Sequence, residues 1–131
     1  MREPIWLHRE LAARVHAEQL ATHGGQEGTR DPGMLDSALN RPKHTRAYGD
    51  PKPDLPALAA SLGYGVARNH PLMDGNKRTA WVLCRAFLRI NGEDIEATQA
   101  EIVSTVLALA AGELSEERFA EWLREHLVSH D

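Results

Sequence analysis

The hydrophobic residues of this chain recur at spacings of three and four, and strict period-two alternation is almost absent. That periodicity is typical of amphipathic helices packed on a core, so we predict a mainly helical chain with little or no sheet. Leu7, Leu11 and Val15 define a first helix over about residues 5–22. The pair at 24–25 should end it, because glycine readily takes the left-handed conformation that follows a helix.

A short second helix is expected after Asp31-Pro32, which have the residue types of an N-cap and a first helical position. We expect this helix to stop before Pro42, because proline disfavours the helical conformation of the residue ahead of it. Residues 42–53 are rich in proline and in cations, and we predict that they form a long basic loop. Such a loop is either functional or a plain surface connection, and the sequence leaves both open.

The third helix is predicted from near Asp54 to about Asn69, with Gly63 and Gly65 permitting a neighbouring helix to approach closely. The fourth helix should span residues 76–90, where apolar side chains surround nearly the whole circumference. A helix with this pattern is buried on most sides. We therefore take the fourth helix as the central one.

Two further helices are predicted near the C-terminal end, one over 98–111 and one that begins after the N-cap residue Ser115. Residues 93–96 could form a short extended piece. The side chains assigned to the interior of these two helices are Ile102, Val103, Val106, Leu107, Ala110, Phe119, Trp122, Leu123 and Leu127. The predicted fold is all-α: one domain over residues 1–131, a compact bundle of five to six helices around a central buried helix.

Charge is distributed unevenly along the 131 residues, although the net charge is only −4. Residues 28–92 hold ten Lys and Arg against five Asp and Glu, and residues 93–131 hold two Arg against ten acids. The middle of the chain could therefore attract an anion, while the last third would repel a polyanion. This pattern favours a small phosphate ligand over duplex nucleic acid, which requires an extended basic face.

Cysteine content and hydropathy bear on the compartment. Cys84 is the single cysteine, which excludes an intramolecular disulfide and is compatible with the cytosol. No signal peptide is visible at the start, and no apolar run approaches the ~18 residues of a membrane span. We expect a cytoplasmic protein that acts on no membrane.

The turn into the fourth helix combines the features of an anion site. Gly75 permits a tight turn, and the helix after it presents its positive dipole end there. Lys77 and Arg78 add two full positive charges in the first turn, where a cation opposes the helix dipole and so makes better sense if it faces an anion. Arg85 and Arg89 lie on the same stripe of the helix, and we interpret them as its exposed edge.

His70 and Asp74 stand beside this predicted phosphate cradle. An imidazole can act as a general base near neutral pH, and a carboxylate can hold a Mg²⁺ ion that bridges two phosphates. A histidine at a helix end is by itself more often a cap, and an aspartate there can simply cap the next helix. Because base, carboxylate and cations fall within nine residues, we favour nucleotide-dependent group transfer to a hydroxyl.

Residues 70–78 read HPLMDGNKR, which resembles the motif of the Fic/Doc family. The continuation KRTA over 77–80 resembles the Doc branch of that family, as do residues 28–42 and the Asn-Gly pair at 91–92. The resemblance covers most of residues 4–127. It implies an all-α Fic-type fold and a toxin of a type II toxin–antitoxin pair, restrained by an antitoxin on a separate chain.

The resemblance also implies cofactors and residue roles. ATP and Mg²⁺ are the implied cofactors, with His70 as the catalytic base, Asp74 as the Mg²⁺ ligand and Arg78 as a further catalytic residue. The residues implied to bind the nucleotide phosphates are Gly75, Asn76, Lys77 and Arg78. In the Doc branch the target is of the elongation factor Tu type, and no direct nucleic-acid partner is implied.

Three positions depart from the pattern of Fic proteins. Lys77 replaces a glycine and Trp81 replaces a second arginine, as in the Doc branch. These changes favour transfer of the γ-phosphate of ATP over transfer of AMP. Leu72 replaces the usual phenylalanine, which bears on catalytic strength. The alternatives are an AMP transferase of the Fic type and an antitoxin-binding co-regulator with little catalysis.

Overall fold

The computed structural model describes residues 3–25, 32–69 and 75–130, and these form six helices and one two-stranded antiparallel sheet. The elements in chain order are α1 (Arg9–His23), α2 (Pro32–Tyr48), α3 (Leu55–Asn69), α4 (Asn76–Ile90), β1 (Glu93–Ile95), α5 (Gln99–Ala110), α6 (Glu116–Glu125) and β2 (Leu127–Ser129). The predicted all-α bundle is confirmed. Among the described helices, none combines the length and the apolar character needed to cross a bilayer.

The central helix of the bundle is α3, and the prediction that the fourth helix is central is wrong. Ten of the 15 residues of α3 are buried, against six of the 15 in α4. Helix α3 contacts α2, α4, α5 and α6, whereas Ile90 of α4 is 40% exposed. The difference arises because α3 carries mostly small side chains, which allow neighbours to pack on several sides of it at once.

The two glycines of α3 lie where neighbouring helices approach closely, as predicted. A methyl group on Gly63 would lie 3.1 Å from Cε2 of Phe119 in α6. A methyl group on Gly65 would lie 3.3 Å from Cδ of Arg41 in α2. Both distances are shorter than ordinary carbon–carbon contacts, so these helices pack against the bare backbone of α3.

Helix α2 continues beyond Pro42, so the predicted basic loop over 42–53 is wrong for its first half. A proline inside a helix costs about 3 kcal/mol, because it removes one hydrogen bond and its ring clashes with the preceding turn. Buried Ser61 of α3 forms hydrogen bonds with one α2 residue on each side of this proline, Arg41 and Thr45. The Arg41 guanidinium donates to the carbonyl and hydroxyl oxygens of Ser61 at 3.2 and 3.1 Å, and the Thr45 hydroxyl lies 3.1 Å from the same hydroxyl. These tertiary bonds offset the local cost.

Residues 3–8, ahead of α1, are not helical, which contradicts a helix start at residue 5. The Ile5 N–H donates to Oδ1 of Asn91 at 2.8 Å, and the Asn91 amide donates to the Ile5 carbonyl at 3.0 Å. Next to it, the Trp6 ring stacks on Phe87 with a centroid separation of 5.9 Å. The end of α4 therefore provides the backbone hydrogen bonds and the apolar contact that a first helical turn would otherwise have formed.

Helix α5 buries a narrower face than predicted. Val106 and Leu109 are buried, but Val103 and Leu107 are 46% and 50% exposed, so their assignment to the interior is wrong. The hydrophobic pattern alone could not show this, because α5 is apolar on more sides than it has neighbours. An exposed strip of two large side chains remains on this helix.

At the C-terminal end, one prediction is confirmed and another is wrong. The Ser115 hydroxyl accepts a hydrogen bond from the Arg118 N–H at 3.1 Å, which confirms Ser115 as the N-cap of α6. Leu127 lies in β2 opposite Ile95 and not in the sixth helix. The predicted extended piece after α4 is thus confirmed as β1, and its pairing with β2 ends α6 early.

Asp94 of β1 joins the small sheet to α4. Its carboxylate lies 2.7 Å from Nε of Arg85 and 3.2 Å from Nε of Arg89, and it also accepts the Ile95 N–H at 2.7 Å. Burial acts to raise the pKa of Asp94, but these hydrogen bonds and the two positive charges outweigh it and hold the pKa below its usual range. The two arginines interpreted as an exposed edge therefore act as structural ion-pair partners.

We expect Asp94→Asn to lower the free energy of unfolding at pH 7 by about 1–3 kcal/mol, because it removes a charged hydrogen-bond acceptor. Because the pKa of Asp94 is lower in the folded state, its ionised carboxylate stabilises the fold above the unfolded-state pKa of about 3.9. This stabilisation is lost as the pH falls through the folded-state pKa. The variant should therefore lose less stability than the wild type between about pH 5 and about pH 2. Urea unfolding across that range measures both effects. Glu96→Gln, which removes an exposed carboxylate, is the control, and an equal acid response in Asp94→Asn and the wild type would contradict the assignment.

Candidate anion-binding site at the entrance to helix α4

Gly75 sets the geometry of the entrance to α4. It occupies the N-cap position with φ +71° and ψ +21°, in the left-handed region that favours glycine. Its carbonyl accepts the Thr79 N–H at 2.9 Å and so begins the helical ladder. Asn76, Lys77 and Arg78 form the first turn, which contains no acidic residue. The structure thus brings together all four residues predicted to bind phosphates.

Two cations are exposed at this helix entrance, Lys77 and Arg78. A guanidinium N–H of Arg78 donates to the carbonyl of Gly24 at 3.2 Å, directly after the end of α1. This contact uses one of the five N–H donors of a guanidinium and directs the group across the gap between α1 and α4. The positive end of the α4 dipole and two side-chain charges therefore share one place.

Helix α1 forms one wall of the site, which the sequence pattern did not predict. A methyl group on Gly75 would lie 3.6 Å from Cδ2 of Leu20 and 3.9 Å from Cδ2 of His16. Both side chains are buried, at 5% exposure each. His16 is thus a buried titratable group beside the turn into α4. The helical spacing of α1 could have indicated that His16 lies on the inner face of that helix, but only tertiary packing brings it next to Gly75.

A cleft of about 520 Å³ opens between Lys77 and helix α5. Its remaining lining residues belong to α5 and the turn after it, namely Ser104, Leu107, Ala108, Ala110, Ala111 and Glu113. The Arg68 guanidinium donates to the Ala110 carbonyl at 2.9 Å and ties this wall to the end of α3. The volume is within the range of small-molecule sites, roughly 300–1,000 Å³. Sequence spacing gave no signal for this cleft.

The other predicted residues of the site divide into two groups. His70, Asp74 and Leu72 lie outside the described residues. Trp81 is half-buried, and its ring meets Trp122 of α6 edge-on with the centroids 6.1 Å apart. Trp81 therefore brings an aromatic packing group where Fic proteins have a second arginine. In the described ranges, no cluster of three or more His, Cys, Asp or Glu could hold a metal.

Three arginines in the middle of the chain are paired with carboxylates from its last third. Arg41 lies 2.6 Å from Glu116, and Arg85 and Arg89 pair with Asp94. The acidic last third of the chain thus supplies the partners of the basic middle. The attraction expected for an anion therefore does not extend over the whole middle segment, and the exposed cations at the entrance to α4 are one place where it remains.

Comparison with known proteins gives three similarities. The model of the Fic/DOC family matches residues 6–88. The chain is 51% identical over 75 residues to "Toxin Doc" of Mycolicibacterium smegmatis (strain ATCC 700084 / mc(2)155). The aligned region covers 56% of this chain and 57% of that protein. The chain is 33% identical over 115 residues to "Protein kinase doc" of Escherichia phage P1. This aligned region covers 88% of this chain and 89% of the phage protein. The match thus spans little more than half of the first relative and most of the second.

We expect Gly75→Ala to lower the free energy of unfolding by about 1–2 kcal/mol, because alanine is strained in the left-handed region. Because the sequence predicts that this turn binds the phosphates of ATP, we also expect the variant to bind magnesium–ATP severalfold more weakly, since relief of this strain moves the first turn of α4. Gly92→Ala is the matched control, because Gly92 has φ +90° and open space around it, away from the helix entrance. Calorimetric titration and urea unfolding of both variants separate the two effects, and equal ATP affinity in both would contradict a role for Gly75 in the site.

Proposed function

The chain belongs to the Fic/DOC family, and from this we propose that it is the toxin of a type II toxin–antitoxin pair. In this proposal it transfers the γ-phosphoryl group of magnesium–ATP to a hydroxyl group of a protein, with elongation factor Tu as the target. The observation that carries the proposal is the entrance to α4, where left-handed Gly75 is followed by exposed Lys77 and Arg78. A triphosphate is the ligand whose charge and oxygen atoms this arrangement matches best.

Each described residue of the entrance has a distinct role in holding the phosphates. The first turn of α4 contributes its dipole, with Asn76 at its start. Lys77 supplies a compact positive charge, and Arg78 supplies a planar fork of donors that suits phosphate oxygens. Because Arg78 also donates to the Gly24 carbonyl, its guanidinium is oriented before the ligand arrives. Such preorganised donors are effective when negative charge develops on the transferred group.

The chemical step in this proposal uses two residues outside the described ranges. His70 accepts the proton of the target hydroxyl as its oxygen forms a bond to the γ-phosphorus. The bond from the γ-phosphorus to the bridging oxygen breaks at the same time, and ADP leaves with that oxygen. Asp74 would hold Mg²⁺, which supplies charge neutralisation of the phosphates when bound. Lys77 and Arg78 stabilise the charge on the oxygens of the transferred group.

Two positions favour the γ-phosphate over AMP as the group transferred. Lys77 places a charged side chain in the cradle where Fic proteins have glycine, and it also lines the cleft toward α5. Trp81 packs against Trp122 and adds no positive charge. The similarity to a relative named as a protein kinase extends over 88% of the chain and also supports transfer of the γ-phosphate. The partners in this proposal are a separate antitoxin, which restrains the toxin, and the protein that is phosphorylated.

The decisive experiment incubates the protein with elongation factor Tu and ATP labelled at either the α- or the γ-phosphate. We expect label from γ-labelled ATP alone to appear on the target. His70→Ala should reduce the rate by about 10²–10⁴-fold, as loss of a general base does. Lys77→Ala should reduce it by about 10²–10³-fold, as loss of a charge-stabilising donor does.

Lys52→Ala is the matched control, because it removes an exposed lysine from the turn after α2 and should leave the rate unchanged. Transfer of the α-label would establish an AMP transferase instead. Growth arrest that persists in cells producing His70→Ala would favour an antitoxin-binding co-regulator with little catalysis. Either result would overturn the proposed kinase activity.

A further inference from the structure

A second cleft, of about 320 Å³, lies between the segment ahead of α1 and the last turns of α2. Its lining residues are Glu3, Trp6, Lys43, Arg46 and Ala47. The Trp6 ring stacks on Phe87 of α4, so this cleft adjoins the far half of that helix. Phe87 is eleven residues beyond Asn76, which corresponds to about 16 Å along the helix axis. The cleft is therefore separate from the entrance to α4, and a ligand bound in it would be independent of the proposed function.

Arg46 is the unusual group in this cleft. Its side chain is only 14% exposed, and its Nε is buried without a hydrogen-bond partner among the described residues. Its ion-pair partner is Glu3, whose nearest carboxylate oxygen lies 3.6 Å from Nη1, too far for a hydrogen bond. The Glu3 side chain is 68% exposed. A guanidinium that is mostly buried and so poorly paired lacks the acceptor that such a group normally has.

Lys43 adds a second cation to the same cleft. It lies one turn before Arg46, on the same side of α2, and its side chain is exposed. In the part of the chain that the structure describes, Lys43 forms no ion pair. Two like charges at this spacing repel each other, so an anion between them would stabilise both. Trp6 and Ala47 form the apolar wall that limits hydration of such an anion.

We propose that this cleft binds an oxyanion of the phosphate type between Arg46 and Lys43. A phosphate dianion matches the two positive charges, and it offers several oxygens to the planar donors of Arg46. Glu3 is the weak resident counter-ion, and the ligand displaces it toward solvent. The source of the phosphate group is either inorganic phosphate or a small phosphorylated molecule, because both present the same oxygens to the cleft.

The test titrates the full chain with inorganic phosphate at constant ionic strength and follows the Trp6 indole N–H by NMR. We expect a saturable shift of this signal. Lys43→Ala should weaken binding by about tenfold, the effect of losing one charged hydrogen-bond donor. Arg46→Met should abolish binding, and Glu3→Gln should strengthen it, since the competing carboxylate is gone. Phosphoserine in place of inorganic phosphate shows whether the cleft prefers a free or an esterified phosphate.

Lys52→Ala is the matched control for the loss of one positive charge outside the cleft, and it should bind phosphate as the wild type does. A Lys77→Ala/Arg78→Ala double variant should also retain the Trp6 response, which separates this site from the entrance to α4. Three results would each overturn the proposal: an equal shift with chloride alone, wild-type affinity in both Lys43→Ala and Glu3→Gln, or acetate binding as tightly as phosphate. Because those two substitutions are at exposed side chains, the outcome does not depend on Arg46→Met folding.

Discussion

Burial of α3 on several sides is the constraint on which the rest of the structure depends. A helix with neighbours on most of its surface needs small side chains, and Gly63 and Gly65 let α6 and α2 pack against its backbone. The one polar side chain buried in this helix, Ser61, requires partners of its own. Arg41 and Thr45 provide them, and in doing so they hold α2 in a helical conformation on both sides of Pro42.

The same constraint positions the candidate site. Helix α4 packs along α3 and starts at a turn flanked by the end of α1 and the end of α5. Arg78 bridges to the first of these walls through the Gly24 carbonyl, and Arg68 fastens the second through the Ala110 carbonyl. The helix entrance is therefore held by elements that are themselves fixed on the core. A site that must place phosphate oxygens accurately requires a rigid support of this kind.

Internal pairing of charges decides where an anion can bind. Three arginines in the middle of the chain have close carboxylate partners within the fold: Arg41 pairs with Glu116, and Arg85 and Arg89 pair with Asp94. Two clusters of cations in the described ranges differ. At one, exposed cations surround the start of α4, and at the other, Arg46 is buried beside a distant carboxylate. Charge composition alone would merge these two places into one basic segment.

The sequence by itself determined the features that depend on neighbouring residues. The helical periodicity, the Ser115 cap, the tight turn at Gly75 and the cationic first turn of α4 all follow from residues within one or two turns of each other. Only the tertiary structure decided which helix is central, that α2 passes Pro42, that Val103 and Leu107 are exposed, and which clefts adjoin Lys77 and Arg46. These features depend on contacts between residues far apart in the chain, and such contacts outweigh local preferences of about 1–3 kcal/mol.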